Sequence, residues 1–175
     1  MKRLVTLLTL LLATLSLQAK ILPYGEMARR FAASERDRFP EAWMLDYCKA
    51  PFFGYSQGVG CSAMLQIWRE TGDEDYFWYV EKLADTLIND KGEIHRYERD
   101  KYNLDFINSG KYLFACYEKT GKEKYRKALD VLVDQLREQP RTSDGGFWHK
   151  LRYTHQMWLD GLYMCSPVLM QYGVS

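Results

Sequence analysis

Apolar residues recur at helical spacing along most of the chain, and this pattern predicts an all-α protein. Gly72 and Gly121 stand where a residue in the left-handed conformation would close a helix. The predicted connections are a Pro- and Gly-rich loop at 51–60, a turn at 89–92 and a charged, irregular surface segment at 93–102. Helices are predicted over residues 23–39, 62–71, 73–88, 105–120 and 122–139, and from just after Asp160 to Gly173.

The middle of the chain repeats itself. Gly72 and Tyr76 recur as Gly121 and Tyr125, at a spacing of 49 residues, which is typical of a helical-hairpin repeat. In each repeat the first helix is apolar on nearly all sides, and the second is apolar on one side only. Buried inner helices that alternate with half-exposed outer helices predict a closed ring of hairpins, with a third inner helix after Asp160.

Pro167 lies inside that third apolar run. A proline in a helix interior kinks the helix, but Ser166-Pro167 is also a suitable N-cap and first position for a new helix. The pattern leaves both interpretations open, and a kink is the one it favours.

Residues 1–19 have the pattern of a secretory signal peptide. Lys2 and Arg3 precede an apolar stretch from Leu4 to about Leu17, and Ala19 stands at the expected cleavage site. The stretch is too short to span a bilayer. We therefore expect a periplasmic or secreted protein of residues 20–175, with no membrane partner after signal removal.

Composition and charge narrow the possible partners. With 24 Lys and Arg against 23 Asp and Glu, and no long basic run, nucleic acid is not an expected partner. The 13 Tyr, 8 Phe and 5 Trp exceed what a small helical core usually needs, and aromatic rings often line ligand sites, although core packing explains most of them.

The four cysteines form no CxxC pair, so no metal site is predicted. Cys116 and Cys165 are expected to be small buried side chains and not disulfides.

Residues 145–173 hold most of the candidate chemistry, and their central acid, Asp160, has two interpretations. As the N-cap of the last helix, Asp160 would bond the free amides of the first turn. As a general acid it would lie in an aromatic pocket, where Trp158 and Tyr163 exclude water and favour the protonated form. Helix-end amides would favour the carboxylate instead. The two interpretations are compatible, and the pattern does not decide between them.

Three strings in the chain are similar to a known enzyme family: LDFINSGKYLF at 104–114, GGFWHK at 145–150 and QMWLDGLYM at 156–164. On these strings the chain resembles the unsaturated uronyl hydrolases of glycoside hydrolase families 88 and 105, most of all the unsaturated rhamnogalacturonyl hydrolases of family 105. The resemblance extends over residues 21–175. It implies an (α/α)6 barrel of six helical hairpins, in agreement with the ring predicted from the repeat.

The resemblance also implies a substrate and a reaction. Members of the family remove the 4,5-unsaturated uronic acid that a pectin lyase leaves at the non-reducing end of rhamnogalacturonan oligosaccharides. An acid delivers a proton to C4, water adds at C5, and the resulting hemiketal opens and releases the neighbouring rhamnose. The implied partner is an oligosaccharide with an unsaturated uronic acid, and no cofactor is implied.

The resemblance assigns roles to particular residues. Asp160, in WLDG, corresponds to the proton donor, and Asp105, in LDFIN, to a second acid. Both precede inner helices, so a ring would bring them to the same mouth, and a neighbouring carboxylate would keep one of them protonated; the alternative for Asp105 is again an N-cap. Trp158 and His149 match positions that line the sugar site, for stacking and for a hydrogen bond respectively. Tyr55, in the GYSQG loop, is a further sugar-facing candidate.

The length of the chain limits what the resemblance predicts. Six hairpins of about 49 residues need nearly 300 residues, so residues 20–175 are expected to be the N-terminal part of the barrel, with its C-terminal half as a possible partner. Half a ring would expose apolar inner helices, and the chain alone is then expected to be inactive or poorly soluble. The alternative function is a non-catalytic helical-repeat fragment that binds carbohydrate or protein. A sugar epimerase on the same barrel is disfavoured because such enzymes usually use His pairs, and this chain has 3 His.

Overall fold

The computed structural model describes residues 23–175, and the predicted signal peptide at 1–19 lies outside the described residues. The chain divides at Phe31 into two units. The described part of the first unit is the beginning of helix α1 (Tyr24–Arg38), where Arg30 Nη2 lies 2.8 Å from Glu26 Oε1. Residues 32–175 form the second unit, which contains the candidate site.

The second unit is built from helices joined by short segments. After a 3₁₀ turn at Ala42–Tyr47 come α2 (Tyr55–Thr71), α3 (Glu74–Leu87), α4 (Leu104–Thr120), α5 (Glu123–Glu138) and α6 (Leu159–Val174), with a 3₁₀ turn at Arg99–Lys101 before α4. Within residues 23–175 the only β-type pairings are isolated bridges, Ile88 with Ile94 and Arg141 with Phe147. The all-α fold class is therefore confirmed.

The helices alternate between inner and outer positions. Helix α4 packs against α2 on one side and α6 on the other, while α3 lies against α2 and α5 lies against α4. Most of α4 is buried, whereas α5 buries mainly one stripe: Tyr125, Ala128, Leu129, Leu132, Val133, Gln135 and Leu136. Helices α2, α4 and α6 are therefore inner helices and α3 and α5 are outer helices, as the repeat predicts.

Glycines end both repeated inner helices. Gly72 and Gly121 have φ values of 72° and 66°, and each donates its backbone N–H back to the helix, to Trp68 O and Tyr117 O at 2.8 Å. A Cβ at either position would meet nothing within 4 Å. The left-handed conformation, and not a lack of space, is therefore what requires glycine there.

The predicted loop at 51–60 is wrong in its second half, because α2 already begins at Tyr55. Gly58 lies in the first turns of α2, where a Cβ would approach the backbone carbonyl carbon and oxygen of Asn108 to 2.6 and 2.7 Å. Two side chains of α4 bind the start of α2 across this contact: Asn108 Nδ2 donates to Tyr55 O and Ser109 Oγ to Gly54 O, both at 2.8 Å. Gly58, which favoured a loop in the sequence, instead allows α2 and α4 to pack closely.

Helix α6 runs without a break through Pro167, so the interpretation of Ser166-Pro167 as a new helix start is wrong. Cys116 and Cys165 are buried and unpaired, as predicted. None of the helices within residues 23–175 is long and apolar enough to cross a membrane. Although α6 is strongly apolar, much of it is uncovered in the described residues; the exposed apolar side chains are Leu159, Leu162, Tyr163, Leu169, Met170 and Val174.

Candidate active site

His149 lies between the two predicted acids. Its Nε2 is 3.4 Å from Asp105 Oδ1, and its Nδ1 is 3.8 Å from Asp160 Oδ1. The residue is only 1% exposed, and burial lowers the pKa of the imidazole despite the opposing effect of the two carboxylates. His149 is therefore neutral at neutral pH and has one N–H to donate.

Each acid holds the second position of an inner helix. Asp105 follows Leu104 at the start of α4, and Asp160 follows Leu159 at the start of α6. The N-cap of α4 is Asn103, whose side chain accepts the backbone N–H of Asp105 at 3.0 Å. Residue 158 occupies the N-cap of α6 without a side-chain bond. Both N-cap interpretations are therefore wrong, since each helix starts earlier than its acid, and neither carboxylate caps its own helix.

Backbone and ring contacts fix the position of the imidazole. The backbone N–H of His149 donates to Gln156 O at 2.8 Å, and its carbonyl accepts the N–H of Leu104 at 3.1 Å. The Trp158 ring stacks on the imidazole, with centroids 4.1 Å apart and planes within 9°, and the Tyr153 ring lies 5.1 Å from that of Trp158 at 17°. Trp158 remains 40% exposed. It both supports His149 and leaves aromatic surface open to a ligand.

Lys150 is a member of the site to which the sequence assigned no role. Its Nζ donates to Asp105 Oδ2, so that Asp105 has a cation on one oxygen and His149 on the other. The GGFWHK string contains Lys150, but nothing in the string indicated a partner 45 residues away. Within residues 23–175 no group of three or more His, Cys, Asp or Glu is arranged to hold a metal ion. The side chains present are those of acid–base chemistry.

Tyr55, the remaining predicted residue, stands at the first position of α2. It is close enough to Tyr163 to contribute to the raised pKa of that phenol, which is mainly due to burial. The side chain of Lys111 lies over the ring of Tyr163, with its Nζ 3.2 Å from the ring centroid. Burial lowers the pKa of Lys111 to about 8. Lys111 is thus a half-buried cation for which the sequence gave no signal.

The lowered pKa of Lys111 predicts that Lys111→Met stabilises the protein more at pH 7 than at pH 10. In the unfolded chain a lysine keeps its proton to about pH 10.4, whereas in the folded protein Lys111 releases it near pH 8. Stability of the wild type therefore rises with pH through this window, because the unfolded state binds more protons. The gain in free energy of unfolding of Lys111→Met over the wild type should decrease by on the order of 1 kcal/mol between pH 7 and pH 10. This value includes an allowance for solvent screening.

Urea unfolding of the wild type and of Lys111→Met at both pH values measures this change. Lys91→Met, at an exposed position in the turn after α3, is the matched control and should show no such change. A variant that is less stable than the wild type at pH 7 would contradict the prediction, because the contact of Lys111 with the Tyr163 ring would then outweigh the cost of burying the charge.

The alternation of inner and outer helices, with carboxylates at the starts of adjacent inner helices, is the architecture of an (α/α)6 glycosidase barrel. The protein-family model described as Glycosyl Hydrolase Family 88 matches residues 27–175, and the chain belongs to that family. A solved structure of a glycoside hydrolase from family 105 of C. acetobutylicum ATCC 824 is similar, with a TM-score of 0.71 and 34% sequence identity. The resemblance to families 88 and 105 and the barrel fold class are thereby confirmed.

The match to the family 105 enzyme covers 86% of this chain and 39% of that chain. This chain thus spans about two fifths of the length of that protein. The described residues provide two hairpins and the inner helix of a third.

Proposed function

We propose that this protein is a hydrolase that removes a 4,5-unsaturated uronic acid from the non-reducing end of lyase-generated rhamnogalacturonan oligosaccharides. Membership of Glycosyl Hydrolase Family 88 supports the reaction class. The single observation that carries the mechanism is the pair of polar atoms that face each other across 3.8 Å, His149 Nδ1 and Asp160 Oδ1.

Both of these atoms are buried, and neither has a hydrogen-bond partner among residues 23–175. We place the single N–H of the neutral imidazole on Nε2, because Nε2 faces the Asp105 carboxylate at 3.4 Å. The Nδ1 lone pair then faces Asp160 and can accept a hydrogen bond from the protonated carboxyl group. The separation is too long for a hydrogen bond, but such contacts commonly tighten when substrate binds. The two oxygens of Asp105 already face Lys150 and His149, so Asp160 is the acid that is free to move a proton.

In the proposed reaction Asp160 donates a proton to C4 of the unsaturated sugar. Water adds at C5 and returns a proton to the Asp160 carboxylate, and the hemiketal opens to release the neighbouring sugar. Asp105, paired with Lys150, provides a negative neighbour for the positive charge that develops next to the ring oxygen in the transition state. The exposed part of Trp158 would hold the apolar face of the sugar ring.

The proposal also includes where the protein acts and how its barrel is completed. The pattern at residues 1–19 supports action outside the cytoplasm. The uncovered apolar side of α6 supports completion of the barrel by additional helices, like those of the part of the family 105 enzyme that this chain does not match.

The native protein tests the proposal. It should be purified from its source cell, so that whatever completes the barrel is retained, and its mass should be determined. We expect it to consume an unsaturated rhamnogalacturonan disaccharide, with loss of the ultraviolet absorbance of the conjugated double bond and release of an equal amount of rhamnose. The saturated disaccharide is the control and should not be consumed. A folded native protein that binds the unsaturated disaccharide without loss of absorbance would instead be the non-catalytic carbohydrate-binding fragment.

A further inference from the structure

A cleft lies next to Lys150, outside the group of side chains around His149. It has a volume of about 750 Å³ and is lined in part by Lys150, the partner of Asp105, and we call it the rim cleft. Its walls come from the segment before α2, the segment between α3 and α4, and the loop before α6. His149 and Asp160 do not line it. The rim cleft is thus separate from the proton-transfer site but continuous with it through Lys150.

The floor of the rim cleft is aromatic. Phe52 and Phe106 both line it, and their rings meet edge to face with centroids 5.9 Å apart. Aromatic and apolar surface of this kind accepts the apolar faces of sugar rings, while a few polar groups at the edge fix the orientation of the ligand. The cleft therefore has the composition of a carbohydrate site.

Two guanidinium groups of the rim cleft have no carboxylate partner among the described residues. Four cationic side chains (Arg96, Lys101, Lys150 and Arg152) and two acids (Glu98 and Asp100) line it. Lys101 pairs with Glu98 and Lys150 pairs with Asp105. Among residues 23–175 neither Arg96 nor Arg152 has a carboxylate within ion-pair distance. The Arg152 guanidinium lies over the Tyr153 ring, 4.7 Å from its centroid, and its Nη2 donates to Tyr153 Oη at 2.7 Å, which leaves its other N–H groups for a ligand. Guanidinium groups bind carboxylates through two parallel hydrogen bonds.

Gln135 of α5 and Gln139, the residue that follows α5, hold the segment that contains Arg96. Tyr97 Oη donates to Gln135 Oε1 at 2.6 Å, and Gln139 Nε2 donates to Tyr102 O at 2.7 Å. Both glutamines are buried. The sequence indicated an irregular surface connection at 93–102, but the structure anchors it to the core. A wall that is fixed before the ligand arrives reduces the entropy lost on binding.

We propose that the rim cleft binds a uronate residue of the oligosaccharide beyond the bond that is cleaved, through the guanidinium groups of Arg96 and Arg152. This proposal rests on the proposed function, in which the substrate is an acidic oligosaccharide. The unsaturated sugar lies at Asp160, the leaving sugar passes Lys150, and the next uronate reaches the rim cleft. The protein should therefore prefer longer acidic fragments to the disaccharide.

Calorimetric binding of trigalacturonate to the native protein tests the site, because this saturated sugar supplies carboxylates and has no double bond to be consumed. The double variant Arg96→Gln/Arg152→Gln should raise the Kd for trigalacturonate at least about tenfold, and added salt should weaken binding to the wild type. Arg69→Gln removes an exposed arginine at the far end of α2 and should leave the Kd unchanged. Thermal unfolding of each variant checks that it is folded.

The proposal is overturned if the double variant binds trigalacturonate as tightly as the wild type, or if neutral maltotriose binds equally well. The two proposals fail separately. The change in affinity for trigalacturonate in the double variant reports on the rim cleft, whereas turnover of the unsaturated disaccharide by the wild type reports on the acid pair. If trigalacturonate binds but the unsaturated disaccharide is not turned over, the rim-cleft proposal stands and the proposed hydrolase activity is excluded.

Discussion

Asp160→Asn should lower the kcat of the native protein for an unsaturated rhamnogalacturonan disaccharide by about 10³-fold and leave the affinity for the sugar nearly unchanged. The asparagine amide has the shape of the carboxyl group but cannot give up a proton to carbon. Asp160 is the acid whose oxygen faces the unpartnered Nδ1 of His149, whereas the two oxygens of Asp105 already face Lys150 and His149 Nε2. Loss of double-bond absorbance measures kcat, and calorimetry with the same variant measures affinity.

The matched control is Asp144→Asn, which changes an exposed acid in the loop before α6 and removes the same charge. It should have the activity of the wild type. If Asp160→Asn retained full turnover, proton donation by Asp160 would be excluded. If it lost binding as well as turnover, the main role of Asp160 would be to hold the substrate.

Gly58→Ala should destabilise the protein by about 3 kcal/mol, the largest effect that we expect from adding one methyl group. The new Cβ would lie 2.6 Å from the backbone carbonyl carbon of Asn108, and backbone cannot rotate away as a flexible side chain can. Relief requires α2 and α4 to separate. That movement would stretch the bonds from Asn108 and Ser109 to the start of α2, and the shift of α4 would carry Asp105 with it.

Urea unfolding monitored by circular dichroism measures this loss. Gly173→Ala is the matched control, because Gly173 also lies in a helix but its added Cβ would meet nothing within 4 Å. Removal of a flexible residue there should be neutral or should stabilise by up to about 1 kcal/mol. If Gly58→Ala is as stable as Gly173→Ala, α2 and α4 do not approach each other in solution as closely as the structure describes.

Local patterns predicted the helices whose burial is one-sided. Helix α5 was expected at 122–139 and found at Glu123–Glu138, because an apolar stripe and its terminal residues are properties of the segment itself. Helix α2 was predicted too short. Gly58 favours a loop by its own propensity, and only the neighbouring backbone of Asn108 makes glycine necessary within the helix. Such a contact lies 50 residues away along the chain and leaves no local signal.

In the candidate site too, the sequence indicated which residues are present but not which contacts they make. The strings around Asp105, His149, Trp158 and Asp160 identified the residues, but the interpretation of both acids as N-caps failed because several neighbouring residues can begin a helix equally well. Lys150 stands beside His149 in the sequence, yet its partner is on another helix. The position of Lys111 likewise depends on the ring of Tyr163, which lies on another helix and is not indicated by the residues around Lys111.

By itself the sequence determined an all-α chain of repeated hairpins and its family, because the periodicity of burial and the short strings of site residues are written in consecutive positions. Only the tertiary structure decided which polar atoms meet. It placed His149 between Asp105 and Asp160, left Nδ1 and Oδ1 facing each other without partners, and opened a cationic cleft beside Lys150. These arrangements join side chains from separate helices and loops, and the free energy that sets them comes from packing between elements and not from any one segment.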